Sequence, residues 1–224
     1  MSNSNKWKKY IGLGGVLFLF PLVWLLFFGL AGEHKFRTLK YYTPDYPAGV
    51  DSGNYYLPDF VFENQDGIVV TNDSLRGKIW LAAFYSLNNP NLAKITERLR
   101  NVDFKYRNEP DIRIVVFSTD TDFDTQPLRS EYAAKNGKYH TFAHKWDYLS
   151  GNQTAMQSFI RNGFLINDIR NEAIFRLVDE TGHIRGLYGN TEYHMEDAME
   201  DIALLRKESD KRKYNERKAL ESKR

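Results

Sequence analysis

The chain has 224 residues, 42% of them hydrophobic, with 31 Lys and Arg against 29 Asp and Glu and no cysteine. Less a membrane segment and two tails, that length holds about one domain with one core. The lack of thiols excludes a disulfide framework, haem attachment, thiolate metal sites and thiol catalysis.

Residues 1–10 are polar and basic. Residues 11–32 carry no charge and are rich in Leu, Phe and Val; as an α-helix they span about 33 Å, enough to cross the hydrocarbon core. Pro21 lies inside the run without shortening it. The run is longer than the apolar region of a cleaved signal, so it reads as an uncleaved transmembrane anchor, with Gly29-Leu30-Ala31 as the site a cleavage would use. Lys6, Lys8, Lys9 and the amino terminus give +4 before it, and Glu33, Lys35, Arg37 and Lys40 give +2 after it. The bias places residues 1–10 in the cytoplasm and the folded part on the outer, periplasmic face of the inner membrane.

Residues 33–56, with Tyr41-Tyr42-Thr43-Pro44-Asp45-Tyr46-Pro47, show neither helical nor strand periodicity. They are expected to be an extended linker, packed along the domain or a partner. From Leu57 the chain alternates. A short hairpin over 60–62 and 68–70 turns about Gln65-Asp66-Gly67, and a strand runs from Ile79 to Tyr85. A helix over 91–106 sets Leu92, Ile95, Leu99, Val102 and Tyr106 on one face. A strand over 112–117 follows, then a helix over 126–136 closed by Gly137, and a strand over 141–145. Residues 152–161 read as a helix capped by Gly151 or Asn152, and 173–178 with 183–188 as a hairpin about Glu180-Thr181-Gly182. The last helix starts near Glu192, with Met195, Ala198, Met199, Ile202 and Leu205 on one side.

A domain over 57–205 is then followed by a charged tail. Residues 206–224 hold nine Lys or Arg against four Asp or Glu, a charge of +5. With both signs interleaved the tail reads as a solvated helix end, against the alternative of contact with anionic lipid or an acidic partner. Nucleic-acid binding is not expected, because Tyr214 is the only aromatic residue among these charges.

The usual carriers of chemistry read as structural. His140 and His144 on a strand lie about 13 Å apart, too far to share a metal. His194-Met195 with Met199 fits a helix start and its core face. Asp120, Asp122 and Asp124 alternate as in a calcium loop but lack its Gly and terminal Glu. There is no GxSxG, P-loop or HExxH motif, and Glu172 and Asp179 have no sequence reason to converge. The chain is therefore not read as an enzyme, and no cofactor is expected.

The segment Gly77-Lys78-Ile79-Trp80-Leu81-Ala82-Ala83-Phe84-Tyr85-Ser86-Leu87-Asn88-Asn89-Pro90-Asn91-Leu92-Ala93-Lys94 is similar to a thioredoxin-fold active-site segment. In that fold a reactive thiol sits at the positive end of a helix dipole; here Asn89 and Ala93 stand in those places. Further landmarks follow in order: Leu57-Pro58-Asp59-Phe60, Asp66-Gly67, Val116-Phe117-Ser118-Thr119-Asp120, Leu149-Ser150-Gly151, Gly163-Phe164, and Leu177-Val178-Asp179-Glu180-Thr181-Gly182-His183-Ile184-Arg185-Gly186-Leu187-Tyr188. Over about residues 57–205 the chain resembles the Sco/SenC family of membrane-anchored, copper-handling proteins.

The resemblance implies an α/β thioredoxin-like domain of Sco type preceded by one transmembrane helix. Family members bind copper through a CxxxC loop and a His six residues before the late LVD. Those positions fall on Asn89, Ala93 and Asn171, so all three ligands are missing. Neutral amides are poor partners for Cu(I). The family works on respiratory oxidases, which implies an accessory, scaffold or assembly role beside a membrane respiratory complex. Two alternatives stay open: a copper metallochaperone for cytochrome oxidase using His and Met, and a carrier or sensor of a small ligand held by Tyr85, Asn88, Asn89 and Asn171.

Overall fold

Seven consecutive apolar residues, Ile79–Tyr85, form β3, and all are buried. A strand that apolar must be covered on both faces. Its alternate side chains divide accordingly: Ile79, Leu81, Ala83 and Tyr85 enter one core, and Trp80, Ala82 and Phe84 enter the other.

The computed structural model describes residues 38–43, 55–86, 89–119, 145–149, 151–164, 166 and 173–222, together with 20, 21, 23 and 24. The chain divides into two units, Met1–Arg37 and Thr38–Arg224. In the first, the described residues Phe20, Pro21, Val23 and Trp24 are helical, and Phe20, Val23 and Trp24 are more than half exposed. Among the described residues no helix is long and apolar enough to cross a membrane; most of the 11–32 run lies outside them, as does most of the 33–56 linker.

In the second unit a hairpin of β1 (Val61–Glu63) and β2 (Val69–Thr71) leads into a one-turn helix α1 (Asn72–Leu75) and then β3. Next come α2 (Leu92–Lys105), β4 (Ile112–Ser118), β5 (Trp146–Leu149) and α3 (Gln153–Phe164). The chain closes with β6 (Ile174–Val178), β7 (Ile184–Gly189) and α4 (Glu192–Glu221). The main sheet has the order β5-β4-β3-β6-β7. β3 pairs in parallel with β4 and antiparallel with β6, in register Phe84↔Phe117 and Phe84↔Ile174. This is a thioredoxin-like α/β sheet.

One face is covered by α2 and α4, whose Ile95, Leu99, Val102, Met195, Ala198, Ile202 and Leu205 are buried on the sheet. The other is covered by α3 and the hairpin, through an aromatic cluster that includes Phe60, Phe62, Phe117, Phe159 and Phe164. Phe62 lies so close to Gly151 that a Cβ there would stand 2.9 Å from its ring.

Several boundaries differ from the sequence reading. The structure adds α1, whose Thr71 and Ser74 form a reciprocal capping box,. Asn152 caps α3 by accepting the Ala155 N–H at 3.0 Å, and the helix runs three residues past 161, to Phe164. The expected helix over 126–136, the strand over 141–144, and Asp120, Asp122, Asp124, His140 and His144 lie outside the described residues. Lys145 is buried ahead of β5, and its Nζ donates to the carbonyls of Tyr106 and Glu109 just past the end of α2, where a cation opposes the helix dipole.

β5 itself was not expected, because Asp147 interrupts its apolar run. Its edge is closed by the hairpin turn: Gln65 donates to the Trp146 carbonyl at 2.9 Å and accepts the Tyr148 N–H at 2.8 Å, replacing a strand neighbour,. Asn64 donates to Asp147 at 2.9 Å.

The last helix carries the charged tail past 205. It continues without a break to Glu221, and Ser209 is buried on the domain.

Candidate functional site at the carboxyl end of the central strand

β3 delivers the chain to the position that the sequence comparison singled out. After Tyr85 the backbone turns back on itself: the Asn89 N–H donates to the Ser86 carbonyl at 3.1 Å, and the Leu92 N–H to the Asn89 carbonyl at 2.9 Å. The side chain of Asn89 closes the turn. Its Oδ1 accepts the Asn91 N–H at 2.8 Å, immediately before α2. A helix start leaves N–H groups without intrahelical acceptors, and here a neutral amide oxygen takes one that could otherwise stabilise an anion.

Asn89 is half-buried and Ala93 is exposed on the first turn of α2. Asn88 and Asn171 lie outside the described residues. Ala173 is buried at the start of β6, and the Phe84↔Ile174 register brings that strand start to the same sheet end as the loop. Tyr85, considered as a lining residue for a small ligand, is 1% exposed and packs in the core under α2 and α4.

Arg98 of α2 donates to the Asn190 carbonyl at 2.8 Å and to its side-chain oxygen at 2.6 Å, tying this end to the β7–α4 turn. In that turn His194 Nδ1 accepts the Gly189 N–H at 3.1 Å. Met195 is buried and Met199 packs against the same core. His194 is thus engaged by backbone and the two methionines by packing. Among the described residues no group of three or more His, Cys, Asp or Glu side chains could hold a metal ion.

The donor set at the loop does not fit a copper site of thiolate type. An amide oxygen already engaged by backbone and a methyl group are what Asn89 and Ala93 offer, and Cu(I) selects soft thiolate and thioether ligands. The described residues of the loop can present backbone and amide hydrogen bonds to a partner.

A denser polar cluster, which the sequence reading missed, lies at the other end of β3. Asp179 closes the β6–β7 turn: its Oδ1 accepts the N–H groups of Thr181 and His183, each at 3.0 Å, and the Thr181 hydroxyl at 2.7 Å. Its Oδ2 accepts Arg185 at 2.9 Å. Burial alone would push this carboxyl up, but the hydrogen bonds from Thr181, His183 and Arg185 hold it below the ordinary carboxylate range,.

Arg185 is 4% exposed. It also donates to Glu208 of α4 at 2.8 Å and to the Leu39 carbonyl at 2.9 Å, and lies 4.1 Å from the Tyr41 ring centre. Glu208 in turn accepts the Leu39 N–H at 3.0 Å, and the Tyr42 N–H donates to the Ile184 carbonyl at 2.9 Å. One buried guanidinium therefore fastens the described part of the linker, the β6–β7 hairpin and α4 together. Asp-x-Thr across a tight turn is a recognisable Asx signature, whereas the partners of Arg185 are set by tertiary structure. A cavity of about 170 Å³ lies at this end too, bordered by Tyr56, Trp80, Arg76 and Thr181.

No family model matches the chain. Over 166 residues it is 29% identical to the SCO1 protein homolog of Bacillus subtilis, an alignment that covers 68% of this chain and 83% of that protein. It is similar to the solved structure of BsSco, a member of the Sco family of cytochrome c oxidase assembly proteins, with 27% identity and a TM-score of 0.57 over 68% of this chain and 94% of that one. A SCO1/SenC family lipoprotein from Bacillus anthracis shares the fold, with a TM-score of 0.56 at 24% identity over 68% of this chain and 95% of that one. With the ordered landmarks above and the thioredoxin-like sheet that carries them, these likenesses make the chain similar to members of the Sco/SenC family over about two thirds of its length, while it has no cysteine itself.

Proposed function

We propose that this protein is a membrane-anchored Sco-type domain that acts by binding, as an accessory, scaffold or assembly subunit of a membrane respiratory complex, without enzymatic, thiol or copper chemistry of its own. One observation carries the reading: the turn between β3 and α2 is closed by the Asn89 amide on the backbone, so the loop is built as a structural turn where the family places a thiolate. Oxidase assembly, the activity of the family to which BsSco belongs, supplies the candidate class of complex. The apolar run 11–32, with Phe20, Val23 and Trp24 exposed on a helical segment, supports an anchor in the inner membrane with the domain on the outer side.

Two measurements test this. Purified from mild detergent, the intact chain should bring subunits of a haem–copper oxidase with it and should bind Cu(I) no better than a chain carrying Asn89→Ala. Tight stoichiometric Cu(I) on the natural chain would favour the metallochaperone alternative with His and Met ligands. Purification free of any respiratory subunit would reject the scaffold.

A further inference from the structure

The hydrogen bonds of Leu39 to α4 and β7 fix where the linker meets the domain. Leu39 is seven residues beyond the end of the apolar run, at most about 25 Å of extended chain. Its N–H is fixed to Glu208 and its carbonyl to Arg185. The membrane surface is therefore within that distance of Glu208 if the run 11–32 is an anchor, so this inference rests on the anchored reading proposed above.

From Glu208, α4 continues to Glu221, a further length of about 20 Å. Its first residues there are held: Ser209 donates to Glu180 at 2.5 Å, and Arg212 and Lys213 pair with the same carboxylate. Residues 213–222 are all exposed. On this helix Lys207, Lys211, Tyr214 and Lys218 recur at spacings of four, three and four, which places them in one stripe. All four are exposed, Tyr214 by 60%. Asp210, Arg217 and Glu221 flank the stripe on one side, and Lys223 and Arg224 follow in sequence.

We infer that this stripe of α4 docks on the anionic headgroups of the membrane in which the chain is anchored, with Lys207, Lys211 and Lys218 on the phosphates and the Tyr214 ring at the interfacial level. Lysines near a negatively charged leaflet add attraction one by one, within a Debye length, and Tyr favours the boundary where one end is apolar and the other wet. Tethering makes a weak contact effective, because a surface within about 25 Å is met at high local concentration. The docked helix would hold the domain in one orientation toward a partner complex in the same bilayer, which a flexible linker alone does not do.

The experiment uses the full chain in vesicles. Because the natural sequence has no Cys, Tyr214→Cys offers a unique site for a fluorescent label, and Gln157→Cys on α3 a control. Vesicles of phosphatidylcholine alone are compared with vesicles in which about one third is phosphatidylglycerol, both with a headgroup quencher. The label at position 214 should be quenched at least twofold more in the anionic vesicles. That excess should vanish in about 0.5 M salt and in K207E/K211E/K218E at unchanged melting midpoint, while the label at 157 should not respond. Equal quenching in both vesicles, or retention of the excess in the triple variant, overturns the proposal. So does protection of the label in native membranes but not in lipid vesicles, which would assign the helix to an acidic protein instead. Release of the chain by alkaline carbonate would overturn the anchor and this inference with it, whereas an anchored chain with an unquenched label at 214 overturns the inference alone.

Discussion

The two ends of β3 carry very different polar equipment. At its carboxyl end, where the resemblance to the Sco/SenC family would set copper ligands, Asn89 and Ala93 leave a turn closed by its backbone and the Asn89 amide, with one half-buried amide and one exposed methyl group. Near its amino end, Asp179, Arg185 and Glu208 form a buried network that joins the linker, the last hairpin and the last helix. Losing ligands from the first region costs the fold little, because those side chains serve a cargo rather than the core. Changing one member of the second leaves an uncompensated buried charge. The contrast separates side chains that a bound cargo would need from those that the architecture itself needs.

The largest effect is expected at Arg185. Arg185→Ala strands Asp179 and detaches Leu39, at a cost of about 3–5 kcal/mol, read by chemical denaturation of a chain starting at Thr38. A chain starting at Tyr55 tests the same linkage from the other side. It lacks Leu39, which is buried, and should lose about 2 kcal/mol from that side chain alone. A Tyr55 start as stable as the Thr38 start would show that the linker contributes nothing.

The network also sets the acid limit of the fold. The Asp179 carboxyl titrates below its unfolded value in the native state, so its contribution to stability is fully present above the unfolded value of about 4 and is lost as the pH falls through the lower native value. Melting midpoints should decline on acidification below that point, and more steeply than in Asp179→Asn. Identical acid profiles for the two chains would place the titration elsewhere.

A smaller effect tests the hairpin. A Cβ on Gly186 would overlap the Tyr188 hydroxyl, which donates to Asp201 at 2.8 Å. Gly186→Ala must displace that ring, for about 1–3 kcal/mol, whereas Gly182→Ala, with nothing within 4 Å but φ of 92°, acts through backbone strain alone. Near-UV circular dichroism of the folded chains, which reports aromatic packing, should change in Gly186→Ala and not in Gly182→Ala.

Much of this architecture is legible in the sequence. The apolar run 79–85, the 3.6-residue pattern of Ile95, Leu99 and Val102, and the Gly182 turn each follow from local chemistry, and each is found in place. The elements missed have a common cause. β5 is short, contains Asp147 and is completed by a glutamine from a distant turn; the burial of Ser209 in the charged tail goes with a bond to Glu180, far away in sequence. Arg185 looks like any strand cation until Leu39, Asp179 and Glu208 are brought around it. At the Asn89 loop the reverse holds: residue types alone exclude thiolate chemistry, and the structure adds that the amide is occupied.

The smallest effect on stability, and the sharpest test of the contrast, comes from restoring donors to the depleted end. Asn89→Cys with Ala93→Cys changes one half-buried and one exposed side chain. The loss of the Asn89 side-chain bond to the Asn91 N–H should cost about 1 kcal/mol, since the backbone bonds from Asn89 N–H to Ser86 and from Leu92 N–H to the Asn89 carbonyl remain. Adding Asn171→His should then create Cu(I) binding that the natural chain lacks, because two thiolates and an imidazole form a soft donor set at a helix start that lowers thiol pKa. Copper titration monitored by thiolate-to-metal absorbance reads the gain, and thermal melting reads the cost. A variant that folds, binds Cu(I) only with all three changes and melts within a few degrees of the natural chain would show that the loop kept its geometry when it lost its ligands. If the two cysteines alone bind as tightly as the triple variant, position 171 does not face the loop; if the triple variant folds and binds nothing, the alignment of Asn89 and Ala93 with the family's ligand positions fails.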